Sequence, residues 1–99
     1  MKFAGLVFLM ALLCYVAQAK YVCHCSSKTN VSLHSNALTK KSYNYVHTKV
    51  LNCPGDKFQS SNIIMDGIST YDTDGKACAQ AFMKACTSYG AKRGWCANL

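Results

Sequence analysis

Six of the seven cysteines in this 99-residue chain follow Ala19: Cys23, Cys25, Cys53, Cys78, Cys86 and Cys96. The segment before them sets their chemistry. Lys2 supplies a positive start, Phe3 to Val16 an apolar run, and Ala17-Gln18-Ala19 a small-x-small cleavage pattern. Residues 1–19 therefore read as a secretory signal peptide. The apolar run is shorter than the roughly 20 residues that span a bilayer. Cys14 lies inside the leader and is lost with it. An even set then remains in an oxidising compartment, which predicts three disulfides in a secreted, extracellular protein.

Residues 20–99 are short enough for a single cysteine-rich domain, expected as a monomer. A core of that size leaves a narrow margin of stability. Each bridge typically contributes about 2–4 kcal/mol, so the bridges decide whether the domain folds outside the cell. Without Lys2, ten Lys and Arg face four Asp and no Glu, a formal charge of +6. Such a surplus favours anionic partners, an anionic membrane surface among them. The cations are scattered, with only Lys40-Lys41 and Lys92-Arg93 adjacent, so no basic tail points to nucleic acid.

The pattern along the chain predicts six elements. Tyr21 to Cys25 reads as a strand, in which Cys23 and Cys25 share a face. A bridge between them would close a tight ring, so each is expected to reach another element. Val31 to Ser42 carries a thin helical stripe of Val31, His34 and Leu38. Tyr43 to Leu51, rich in aromatic and β-branched residues, reads as a strand. Cys53-Pro54-Gly55-Asp56 reads as a type II turn, and Lys57 to Asp66 as the second strand of a hairpin. Lys76 to Tyr89 is the clearest helix, with Cys78, Phe82, Ala85, Cys86 and Tyr89 on one face. Asp72, Thr73 or Asp74 is expected to cap its start, and Gly90 to stop it. Gly94 to Leu99 closes the chain as a strand.

The order βαββαβ predicts an α+β fold, a small disulfide-stabilised two-layer sandwich. Two helices cover one face of an antiparallel sheet. Cys78 and Cys86 would then face the sheet, within reach of Cys23 and Cys25. The remaining pairing stays open.

Residue chemistry argues against an enzyme. A guanyl-type ribonuclease needs a carboxylate base, usually Glu, and this chain has none. A pancreatic-type mechanism needs two His and a Lys in one cleft, and the spacing of His24, His34 and His47 brings no two together. The four Asp fall in turns and before the late helix, unlike a glycosidase pair. No metal or cofactor is expected. Disulfides claim the ligands of Cys23-His24-Cys25. Thr70, Asp72, Asp74 and Gly75 imitate the start of a calcium loop, but its terminal Glu position falls on Ala81. Asn30-Val31-Ser32 is an N-glycosylation acceptor, and Lys92-Arg93 a dibasic pair. In a strand, Tyr43, Tyr45, His47 and Lys49 would alternate onto one face and form a binding surface.

The leader, the Cys-x-Cys pair at the mature start, the hairpin, the late helix with Phe82-x-x-x-Cys86 and the final Cys together resemble small cysteine-rich effectors secreted by fungi. The element order is similar to the killer-toxin-like fold among them, named for smut-fungus killer toxins. Tyr21-Val22-Cys23 also resembles the aromatic-x-Cys start of mildew ribonuclease-like effectors, a family whose helix lies early. The resemblance implies a non-enzymatic virulence protein that binds a host protein or glycan during colonisation. The alternative is a basic antimicrobial or killer toxin acting on membranes of competing cells. It carries no functional residue over to this chain.

Overall fold

The structure, a computed structural model, describes residues 20–50, 52–61 and 67–98. The leader, with Cys14, lies outside them, as do Ile63, Ile64 and Met65. The elements run β1 (Tyr21–Cys25), α1 (Asn36–Lys49), β2 (Lys57–Ser61), β3 (Ile68–Thr73), α2 (Lys76–Ser88) and β4 (Gly94–Asn98). The four strands form one antiparallel sheet in the order β2-β3-β1-β4. The expected α+β sandwich and its βαββαβ order are therefore present.

Two of the residue assignments inside that order differ. Tyr43 to Lys49 is not a strand but the second half of α1. Aromatic and β-branched residues there favour extended backbone locally, yet Leu38, Ser42 and Val46 repeat every four residues and all are buried. Burying that stripe against the sheet outweighs local propensity. Polar members of the stripe are satisfied. Thr39 Oγ1 accepts the Cys25 N–H at 3.0 Å and donates to the Ser35 carbonyl at 2.7 Å. Ser35, the N-cap, accepts the Leu38 N–H at 3.1 Å. Helix α1 therefore begins at Asn36, after the turn that carries Val31 to His34.

The strand missing from the sequence reading is β3. Its Ile-Ser-Thr-Tyr-Asp-Thr run lacks an apolar alternation, because both faces carry polar groups. Asp72 sits within it rather than on the helix, nearly fully buried. Its carboxylate accepts from Thr70 Oγ1 at 2.9 Å and from Gln59 Nε2. The hairpin is thus β2–β3, with Lys57 opposite Asp72 and Phe58 opposite Tyr71. The Cys53–Asp56 turn forms as expected, with Gly55 at φ 68° and the Asp56 N–H 3.4 Å from the Cys53 carbonyl. It joins α1 to β2 instead of two strands.

Helix α2 keeps its expected face, with Cys78, Ala79, Phe82, Ala85 and Cys86 buried. Its N-cap is Gly75, and no side chain caps it. Thr73 Oγ1 accepts the Gly75 N–H at 3.2 Å, one residue short of the helix proper. Gly90, at φ 101°, ends α2. The Ala91 N–H reaches back to the Cys86 carbonyl at 3.0 Å and the Gly90 N–H to Thr87 at 3.1 Å. This is a Schellman closure, with Ala91 buried beside Cys86.

Both helices pack on the face of the sheet that carries Cys23, Cys25 and Tyr71. The Tyr71 and Phe82 rings stack at 4.8 Å in the centre. The bridges are Cys25–Cys86, Cys23–Cys96 and Cys53–Cys78. Cys25 meets the late helix as expected. Cys23 instead bonds its directly opposite neighbour on β4, and Cys78 bonds the residue before the Pro54 turn.

Among the described residues the buried Tyr71 hydroxyl has no well-aligned hydrogen-bond partner, and a weak contact with the Thr73 side chain only partly offsets its burial. Burial pushes its pKa up to about 12. The ionised form is thus disfavoured in the fold, and stability is lost as pH rises above 10 towards 12. Tyr71→Phe is expected to raise stability by about 1 kcal/mol at neutral pH, since it removes a poorly paired buried hydroxyl. It should also flatten the alkaline decline. Urea unfolding at neutral and alkaline pH measures both, and a Tyr71→Phe protein less stable than the parent contradicts the argument.

Candidate functional site

The four residues expected to form one surface are split by the helix. Successive helical residues turn by about 100°, so steps of two residues alternate sides while steps of four stay together. Tyr43 and His47 share the side next to β2. Their rings stack at 5.3 Å, and Tyr43 also lies 5.7 Å from Phe58. His47 Nδ1 is 3.2 Å from Asp56, an ion pair when the ring is protonated. Those two side chains serve the junction between α1 and the Pro54 turn. Lys49 stands exposed on the last turn.

Tyr45 points the other way, into a groove between α1 and α2. Tyr45, Val50, Ala81, Lys84, Ala85, Ser88 and Tyr89 line it, around a volume of about 290 Å³. Tyr45 and Tyr89 meet edge-to-face at 6.2 Å, and Tyr45 is 44% exposed. Lys41 lies over the Tyr89 ring, its Nζ 4.6 Å from the centroid, a cation–π contact. The groove thus has an apolar floor of alanines, aromatic walls and two cations at its rim. No Asp lines it. It suits one large side chain or one sugar ring rather than an extended small molecule. Tyr89 and Ala85 entered the sequence reading on the apolar face of the late helix, because the helical period alone cannot tell a buried face from a groove wall.

A second groove of about 270 Å³ lies at the β1–β4 edge, lined by His24, Ser26, Val31, His34, Arg93 and Trp95. Here the structure corrects an expectation, since His24 and His34 do come together, their rings 4.1 Å apart. Trp95 lies across the strand from His24 at 4.9 Å. Burial, reinforced by the neighbouring His34, lowers the His24 pKa to about 4. Its Nδ1 is buried and unpartnered among the described residues. His24 is therefore neutral at physiological pH, and among the described residues no carboxylate or lysine lines the groove. That arrangement packs a loop against the sheet and lacks an acid–base couple.

The remaining candidates are placed plainly. Asn30 is exposed in a turn, its Oδ1 accepting the Ser32 N–H at 2.8 Å. Lys92 and Arg93 are exposed between α2 and β4. Thr70 and Asp72 are buried strand residues and form no calcium loop. Among the described residues no three His, Cys, Asp or Glu side chains gather as a metal site, and no helix is long and apolar enough to cross a membrane. Comparison with protein-family models, curated proteins and solved structures returns no match to this chain.

Proposed function

We propose that the chain is a secreted, non-enzymatic, effector-like protein that binds a host component, protein or glycan, through the groove between α1 and α2. The observation that carries this reading is the pairing of Tyr45 and Tyr89 beneath Lys41 and Lys84. Rigid aromatic walls give contact area at low entropic cost. A cationic rim selects an acidic partner and speeds its approach. The Cys25–Cys86 bridge ties α2 to the sheet and Cys53–Cys78 ties the turn after α1 to α2, so the groove between the helices is preformed.

The double variant Tyr45→Ala/Lys84→Glu removes one wall and reverses one rim charge without touching the core. Capture of its partner from host tissue is expected to fall at least tenfold. Lys57→Glu, a reversal on β2, should leave capture within about twofold. Equal loss in both proteins would mean that bulk charge, not the groove, does the binding.

A further inference from the structure

We propose that the loop between β1 and α1 is a docking surface for an anionic lipid bilayer. The inference does not rest on the interhelical groove. Among the described residues three large apolar side chains are exposed, and two of them stand on this loop: Val31, 61% exposed, and Leu33, 56% exposed. Water-facing side chains of this kind, two residues apart on one tip, mark a contact surface when the tip is held rigid.

The tip is held rigid. Ser27 Oγ accepts the Asn30 N–H at 2.9 Å and donates to the Asn30 carbonyl at 3.0 Å. The Asn30 carbonyl also accepts the Leu33 N–H at 3.2 Å, and the Leu33 carbonyl accepts the Ser27 N–H at 2.8 Å. Ser26 and His34 close its base as an antiparallel bridge. Inserting Val31 and Leu33 into a bilayer therefore orders little new chain.

Three cations flank the base of the loop. The Lys92 N–H donates to the Ser27 carbonyl, and the Arg93 N–H to Ser26 Oγ. Lys92 and Arg93 thus lie beside the loop that also carries Lys28, and all three are exposed. The described carboxylates, Asp56, Asp72 and Asp74, belong to the opposite end of the sheet, where Asp72 pairs with Val22 and Lys57. Trp95, partly exposed, lines the adjoining groove with Val31 and Arg93. An apolar tip, cations at its base and an indole beside them are the components of an interfacial anchor. Two aliphatic side chains offer too little apolar area for a protein hot spot. They are enough for a bilayer, where each cation near an anionic surface strengthens binding about fivefold.

The test uses the oxidised domain without a glycan, because Asn30 stands on the same tip and a glycan there would hold the bilayer away. Vesicles of phosphatidylcholine with phosphatidylserine should bind it, and vesicles of phosphatidylcholine alone should not. Binding should weaken steeply with salt. Trp95 is the sole tryptophan, so its emission should be quenched by brominated acyl chains. Val31→Asp/Leu33→Asp should weaken binding at least tenfold, and Lys92→Glu/Arg93→Glu likewise. Lys57→Glu/Lys76→Glu, the same charge change elsewhere, should have an effect below about threefold. The proposal is overturned by no binding to anionic vesicles at low salt, by full binding of Val31→Asp/Leu33→Asp, or by equal losses in the two charge-reversal variants.

Discussion

Replacing Cys25 and Cys86 by alanine is expected to lower the free energy of unfolding by about 3 kcal/mol, and removing the Cys23–Cys96 bridge as well should leave no stable fold. The two bridges start two residues apart on β1 and span sequence separations of 61 and 73 residues. Either one alone closes a long loop, worth about 4 kcal/mol of unfolded-chain entropy. With one in place, the other closes only a ring of about 14 residues, running through β1 and from Cys86 to Cys96, worth about 3 kcal/mol. The first loss is therefore cushioned and the second is not. Together they amount to about 7 kcal/mol, comparable to the entire net stability of a small domain. Cys25 and Cys86 are fully buried, so the void left by their sulfurs adds to the first figure. Denaturant unfolding of the two single-bridge variants and of the double variant provides the measurement. A double-variant protein that still unfolds cooperatively, with simply additive losses, would refute the nested-loop account.

Acid is the second large lever. The folded protein holds His24 near pKa 4, against 6.5 for a free imidazole, through burial first and the neighbouring His34 second. Neutral His24 is thus the form the fold favours. Below pH 6.5 the unfolded chain takes up a proton that the folded protein refuses. Stability is then complete above 6.5, declines by up to about 1.4 kcal/mol per pH unit, and is fully lost for this group below 4, about 3 kcal/mol in all. His24→Phe fills a similar volume and has no ring nitrogen. The difference in unfolding free energy between the two proteins should grow as pH falls from 7 to 4 and stay level below. The same subtraction removes the contributions of the carboxylates. A constant difference across that range would show that His24 keeps its proton equilibrium on folding.

Particular residues show which parts of the fold were legible. Strand β1, helix α2 with its Gly90 stop and the Pro54-Gly55 turn are set by local chemistry, and each lies where its pattern places it. Tyr43 to Lys49 misleads because its side chains prefer extended backbone while its buried stripe, spaced by four, includes Ser42 and begins with the modest Leu38. Strand β3 is hidden because Thr70 and Asp72, on the face away from the helices, are polar yet buried, satisfied by Gln59 and by each other. The two errors compensate in the element order, since one strand too many before the turn stands in for one too few after it. The grooves were less legible still. Tyr45 and Tyr89 lie on different helices, and their meeting depends on how α1 crosses α2. His24 and His34 meet because hydrogen bonds between Ser27 and Asn30 fold the chain back, a turn that no local motif announces.

The placement of Cys23 and Cys96 near the two ends of the described residues has a consequence for proteolysis. Every peptide bond from Cys23 to Cys96 lies within at least one covalent ring. Most lie within two, and those between Cys53 and Cys78 within three. A protease that cuts once inside that span adds the mass of a water molecule and releases nothing. Cleavage after Arg93, at the exposed dibasic pair, would leave β4 tied to β1 through Cys96 and still registered in the sheet. Release of a fragment requires a second cut or a reductant. A singly nicked molecule is therefore still a whole one.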